Sequence, residues 1–228
     1  GLLKHTPYYS YVIPDAAAFR QDVRIEDTKK IPENHKVVVK LKDWNDPFHP
    51  LMGAIVEDLG EVSQPGVDID SLLADAGIRE AFPPEVIAEA EKLSGEVTAE
   101  RMKGRRDLRD VVTFTIDPET AKDYDDAVSI EAHPDGGWDL GVHIADVSHY
   151  VKPGSALDKE ARERGNSTYM ADRVLPMIPR ELSNHLCSLK PGVDRLTQCC
   201  LMKINKEGQI RSSHFTRAVI HSDSPEEI

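Results

Sequence analysis

The chain has 228 residues, of which 39% are hydrophobic and 30% charged, enough for one large packed domain or two small ones. No apolar run reaches the length of a membrane span and no signal peptide opens the chain, so neither membrane insertion nor secretion is expected. The net charge of −12, from 28 basic and 40 acidic residues, argues against a protein that coats nucleic acid with a basic surface, although it leaves room for a local basic channel. Cys187, Cys199 and Cys200 are the three cysteines. Their odd number and the absence of a CxxC pair exclude a disulfide framework and a zinc ribbon, and point to reduced, mostly buried thiols in a cytoplasmic protein.

The opening GLLKHTPYYSYVIP reads as β, as though the chain began inside a larger protein. YYSYVIP (8–14), QDVRIE (21–26), HKVVVKLKDW (35–44) and LMGAIVEDLG (51–60) are strand candidates separated by the turn-rich PDAAAF, KKIPEN and NDPFHP. A small antiparallel barrel of the OB or cold-shock kind over 1–65 uses strands of this sort. Tyr8, Tyr9, Tyr11, Phe19 and Trp44 are candidates to stack on bases, with Lys40 and Lys42 reaching phosphates. A half-buried sheet needs such residues for its own packing as well.

Residues 66–104 change to helical spacing in IDSLLADAGI and PPEVIAEAEKLSG, with Asp70–Ser71 and Pro83–Pro84 as helix starts, and read as a helical connector. ERMKGRRDLRD (100–110) is the densest basic run; it is either a solvated face or a set of phosphate contacts. From 111 onward the pattern is mixed. VVTFTID, DAVSIEAH and WDLGVHIADVSHYV read as strands, with a turn at HPDGG (133–137). SALDKEARERGNS reads as a helix capped by Ser155, and PRELSNHLCSL as a short helix. A hairpin follows, turning at Asn205 to Gly208. His143 and His149 are six apart and would share a face of a straight strand with Asp146 out of step, so HIADVS reads as core rather than as acid–base machinery. The whole is an α+β chain.

TIDPETAKDYDDAVSIE places Asp117, Asp123, Asp125 and Asp126 within ten positions. Carboxylates this close repel one another and raise each other's proton affinity unless cations neutralise them. A calcium loop counted from Asp123 fails, because its glycine and glutamate positions hold Val128 and Pro134. A solvated turn is the plain alternative. Four aspartates between apolar runs, with Lys122 the only basic neighbour, fit a hard-cation site better: oxygen ligands suited to Mg²⁺ or Mn²⁺ and to phosphoryl chemistry.

TIDPETAKDYDDA, then GVHIADVSHYV, then LPMIPRELSNHLCSLKPGVDRL, resembles in order and spacing the start of the ribonuclease II/ribonuclease R nuclease domain, over roughly 105–221. The barrel and connector resemble that family's second cold-shock domain and its link to the nuclease domain. RRDLRD and PGVDRL look more like the ribonuclease R branch. The expected organisation is therefore a cold-shock-like domain at 1–65, a connector at 66–104, and the N-terminal part of an RNB nuclease domain at 105–228.

The resemblance implies Mg²⁺-dependent, processive 3′→5′ hydrolysis of single-stranded RNA to nucleoside 5′-monophosphates, by a protein favoured to be a monomer. It implies Asp117 and Asp126 as the firmest metal ligands, Asp123 as completing the set, and Asp125 as the ligand whose loss stops chemistry while sparing RNA binding. Tyr169 falls where the family packs a tyrosine on the 3′-terminal nucleotide. The resemblance also implies further nuclease sequence downstream, with an arginine acting on the scissile phosphate, and an S1 domain. The tail HSDSPEEI departs from the family pattern. A chain of this extent is expected to hold metal and RNA yet hydrolyse slowly or not at all. The rival readings are a non-catalytic RNA-binding member of the same fold and an unrelated Mg²⁺-dependent phosphatase.

Overall fold

The computed structural model describes residues 1–16, 19, 21–43, 48–223 and 226–227, so Trp44 lies outside the described residues, as do Ser224, Pro225 and Ile228 of the tail. By internal packing the chain divides into two units, 1–81 with 169–174, and 82–168 with 175–228.

In the first unit β1 (Leu2–His5), β2 (Ser10–Ile13), β3 (Val23–Ile25), β4 (His35–Leu41) and β5 (Met52–Glu61) close into a barrel of order β1-β2-β3-β5-β4. The alternation of the sequence sets the two surfaces. The row Leu3–Val12–Val23 points inward and is buried, whereas Lys4–Tyr11–Arg24 points outward. Closure leaves no open sheet edge. It also demands a close approach at Gly53, where a Cβ would collide with Val39 and Val23 of the flanking strands. Outside the barrel, Tyr8, Tyr9 and Phe19 are exposed, and the Arg24 guanidinium lies 4.7 Å over the Tyr9 ring. Lys42 pairs with Glu26 at 2.6 Å, and Lys40 is exposed.

Helix α1 (Val67–Asp75) begins at Val67, earlier than the Asp70–Ser71 start, because Gly66 takes the left-handed conformation (φ 94°) that turns the chain into the helix. Asp68 and Asp70 then occupy the first turn, where carboxylates oppose the helix dipole. Arg173 in the 169–174 segment pairs with Asp70 at 3.0 Å and Glu80 at 3.1 Å.

The second unit starts with α2 (Pro84–Ala90), entered through Pro83 as expected, and α3 (Ala99–Met102), capped by Thr98. The connector is thus shared: α1 belongs with the barrel, α2 and α3 with the second unit. Next come the two-residue strands β6 (Arg106–Asp107) and β7 (Ile116–Asp117), then β8 (Asp126–Ala132) and β9 (Trp138–Ala145). Helices α4 (Val147–Tyr150) and α5 (Ala156–Arg164) follow, with Ser155 capping α5 by accepting from Asp158 N. Beyond the paired β10 (Thr168–Tyr169) and β11 (Val174–Leu175) lie a π-helical turn at Leu182–Leu186, the long hairpin of β12 (Asp194–Ile204) and β13 (Ile210–His221), and β14 (Glu226–Glu227).

The main sheet has the order β6-β13-β12-β9-β8, so β8 is an edge strand. One face, with the row Ala127–His143–Cys199, is buried. On the other, the rows Val128–Val142–Cys200–Phe215 and Ile130–Leu140–Met202–Ser213 are nowhere fully buried, and Phe215 is 79% exposed.

Two expected strands are cut short. VVTFTID forms only a bridge from Phe114 to Val128 and then β7, because its backbone pairs with the C-terminal segment: Asp223 N donates to Thr113 O at 2.8 Å, Thr113 N donates to Asp223 Oδ2 at 2.9 Å, and β14 runs parallel to β7. WDLGVHIADVSHYV stops at Ala145, where Asp146 turns the chain into α4, so His143 and His149 do not share a strand face. The basic run is tied to protein groups. Arg105 pairs with buried Asp146, Arg109 with Asp107 and Asp194, and Arg101 Nη1 donates to the carbonyls of Ser94 and Glu96.

His143 is fully buried, with Nε2 2.9 Å from Ser129 Oγ and Nδ1 3.0 Å from Cys199 Sγ. Gly141 makes this possible, since a Cβ there would run into both Ser129 and His143. Burial pushes the His143 pKa down to about 4 from 6.5, so the ring is neutral at physiological pH. A group whose folded pKa is depressed below its unfolded value stabilises the fold above the unfolded value and loses that contribution as pH falls. Stability therefore declines between pH 6.5 and pH 4, by on the order of 3 kcal/mol from this ring. In urea titrations across that range, His143→Gln is expected to flatten the slope.

Candidate functional site

The four aspartates of the acidic stretch enter from three local structures. Asp117 ends β7, paired along its backbone with β14. A turn closed by Ala121 N donating to Pro118 O (2.9 Å) reverses the chain. Asp123 and Asp125 lie in an irregular stretch, and Asp126 opens the edge strand β8 opposite Ile144 of β9. Between them Tyr124 packs against the core of the unit, which leaves its two acidic neighbours to the outside. The stretch is held by bonds to distant segments: Tyr124 N donates to Ser188 Oγ (3.1 Å), Ser188 Oγ to Lys122 O (3.0 Å), Leu189 N to Tyr124 O (2.8 Å) and Ala145 N to Asp125 O (3.0 Å).

The electrostatics report their mutual proximity. The Asp125 pKa is raised, first by burial of the carboxyl against the protein and then by the charges of Asp123, Asp126 and Asp117, even though much of the residue remains open to solvent. Asp117 Oδ2 is shielded from solvent and has no hydrogen-bond partner, a costly state for a carboxylate oxygen. Both observations concern an oxygen-only donor set, whose chemistry fits a hard divalent cation. The side chains are not drawn into a cage: among the described residues no three His, Cys, Asp or Glu side chains form a ready metal cluster.

Tyr169 stands on β10 with 67% of its surface exposed, and belongs to the unit of the barrel rather than to that of the aspartates. Asp146 is excluded from the site. It is buried, and although burial opposes its charge, Arg105 at 2.6 Å together with Ser148 and Gln198 holds its pKa below the usual carboxylate range. Sequence reasoning missed Ser188 and Leu189, whose only signal was their place in the SLK block near the PREL helix. It also missed the pairing of Arg105 with Asp146, where a run of like charges concealed one buried member.

Family comparison matches the RNB domain over 105–225 and a cold shock domain over 11–83. Ribonuclease R of Thermotoga maritima is 42% identical over 226 residues, covering 97% of this chain and 32% of the relative. The chain thus spans about a third of the length of that curated relative. Mycoplasma genitalium RNase R in its apo form matches with a TM-score of 0.90 at 29% identity, over 99% of this chain and 36% of that one. The same enzyme in complex with double-stranded RNA matches at 0.82 and 30%, over 90% and 37%. Yeast Ssd1, described as a pseudonuclease, shares the fold with a TM-score of 0.78 at 22% identity, over 100% of this chain and 30% of that one.

A carboxylate whose folded pKa is raised carries an ionisation penalty that is absent at pH values below its unfolded pKa and complete above its folded one. In metal-free protein, Asp125→Asn is expected to raise the melting temperature by on the order of 1–2 °C at pH 7, solvent screening keeping the gain small. The gain should vanish below about pH 4. Differential scanning calorimetry at the two pH values checks this.

Proposed function

The chain belongs to the RNB-domain ribonuclease family, on its ribonuclease R side, and on that premise we propose that it serves a 3′→5′ exoribonuclease that shortens single-stranded RNA processively to nucleoside 5′-monophosphates. The observation that carries this reading is the set of Asp117, Asp123, Asp125 and Asp126, close enough that the charges of the other three act on Asp125, with an orphaned carboxylate oxygen on Asp117. Asp117, Asp123 and Asp126, with Asp125, are the residues proposed to hold Mg²⁺ or Mn²⁺. When bound there, the cation supplies Lewis-acid polarisation of the phosphate and a more acidic water.

The residues of the chain do the rest. Asp125, whose carboxyl lies partly buried among the charges of the other three, is proposed as the residue on which hydrolysis depends. Tyr169 offers an exposed ring on which the terminal base stacks, a contact indifferent to base identity. Tyr8 and Tyr9, with Arg24, give the barrel an aromatic and basic exterior of the type that holds single strands. The reducing cytoplasm is the compartment proposed from the free thiols.

The fold alone does not decide for hydrolysis, since a pseudonuclease shares it. The intact aspartate set weighs against the rival reading of a non-catalytic RNA-binding protein. In the whole gene product, Asp125→Asn is expected to abolish Mg²⁺-dependent release of 5′-monophosphates from a 3′-tailed RNA, a fall of about a thousandfold or more, while leaving the affinity for that RNA within about threefold. Chromatography of the products and filter binding read the two effects. Undiminished release refutes the reading.

A further inference from the structure

The acidic stretch from Lys122 to Asp125 is neither helix nor strand. Apart from the turn before it and β8 after it, its backbone bonds are made to Ser188, Leu189 and Ala145. We propose that Ser188 is a positioning residue for the carboxylate cluster, setting the separation and direction of Asp123 and Asp125 and hence the affinity of the site for its divalent cation; this rests on the metal-site reading above.

Ser188 is fully buried, so it lies out of reach of substrate. Its one hydroxyl works in both directions, accepting from Tyr124 N and donating to Lys122 O. Those two peptide groups flank Asp123. Leu189 N adds a third bond to Tyr124 O, so the segment is gripped on both sides of the aspartate. The grip is itself anchored. Arg195 Nε donates to Ser188 O at 2.9 Å, and the chain reaches Ser188 directly from the π-helical turn, where Cys187 N bonds to Leu182 O at 2.8 Å. Four carboxylates that repel one another need such an external hold, because their own interactions push the loop apart. Removing the hydroxyl frees Lys122 O and leaves Tyr124 N unpaired in the interior, and the loop then relaxes in the direction the repulsion favours.

The test is Mn²⁺ binding by electron paramagnetic resonance on the whole gene product, alongside the Mg²⁺ concentration for half-maximal RNA hydrolysis and thermal melting. Ser188→Ala is expected to weaken Mn²⁺ binding about tenfold or more, the range for residues that orient metal ligands. It should raise the half-maximal Mg²⁺ concentration in parallel, with kcat largely restored at saturating Mg²⁺ and RNA affinity in chelator unchanged. Ser188→Cys, with a weaker donor of similar size, should fall between Ser188→Ala and wild type. A folded Ser188→Ala protein with wild-type Mn²⁺ affinity overturns the proposal; if that variant does not fold, wild-type affinity in Ser188→Cys does so. Asp117→Asn separates the two readings: should it leave Mn²⁺ binding and hydrolysis intact, the metal-site reading itself is what fails.

Discussion

The ion pair between Arg105 and Asp146 organises the second unit. Both side chains are almost wholly buried and sit 2.6 Å apart, and Gln198 of β12 and Ser148 of α4 complete the shell of Asp146. This one carboxylate, at the junction of β9 and α4, ties together Ser148 of α4, Gln198 of β12 and the segment that leads into β6. A buried pair of this kind adds little net stability over an apolar substitute, but losing one partner costs about 3–5 kcal/mol because the other charge is stranded. Its value is specificity of arrangement: it fixes where the sheet stops, and so where Ala145 N meets Asp125 O.

The acidic stretch shows the opposite economy of charge. Asp146 has its cation, whereas Asp125 is pressed by the like charges of Asp123, Asp126 and Asp117. Backbone bonds to Ser188, Leu189 and Ala145 hold the stretch that carries Asp123 and Asp125, while β14 and β9 hold Asp117 and Asp126. A protein that built this stretch for stability would have paired or dispersed the charges. A carboxylate kept among like charges inside an otherwise well-bonded unit is the kind of local strain that clusters at functional sites.

Much of this was legible beforehand. The barrel strands followed from alternation of the type Val23–Arg24–Ile25, and the caps of α2 and α5 from Pro83–Pro84 and Ser155. The fold class and the two domain resemblances agree with the family matches. The mutual proximity of the four aspartates was readable because they lie within ten positions of one another. What stayed hidden depends on partners far away in sequence. VVTFTID has strand composition, yet its hydrogen bonds go to Asp223 and β14, about a hundred residues later. The end of β9 depends on Arg105, and the shape of the acidic loop on Ser188, neither of which periodicity can assign.

The face of the main sheet carrying Phe215, Ile130, Val142 and Met202 behaves as a solvent problem as much as a structural one. Contiguous apolar surface of this sort draws molecules together once they meet often enough. On this molecule such a face stands beside a net charge of −12. Repulsion of that charge is long-ranged only at low ionic strength. Added salt therefore shortens the reach of the charge repulsion between copies while leaving the apolar contacts open to Phe215 and Ile130 untouched.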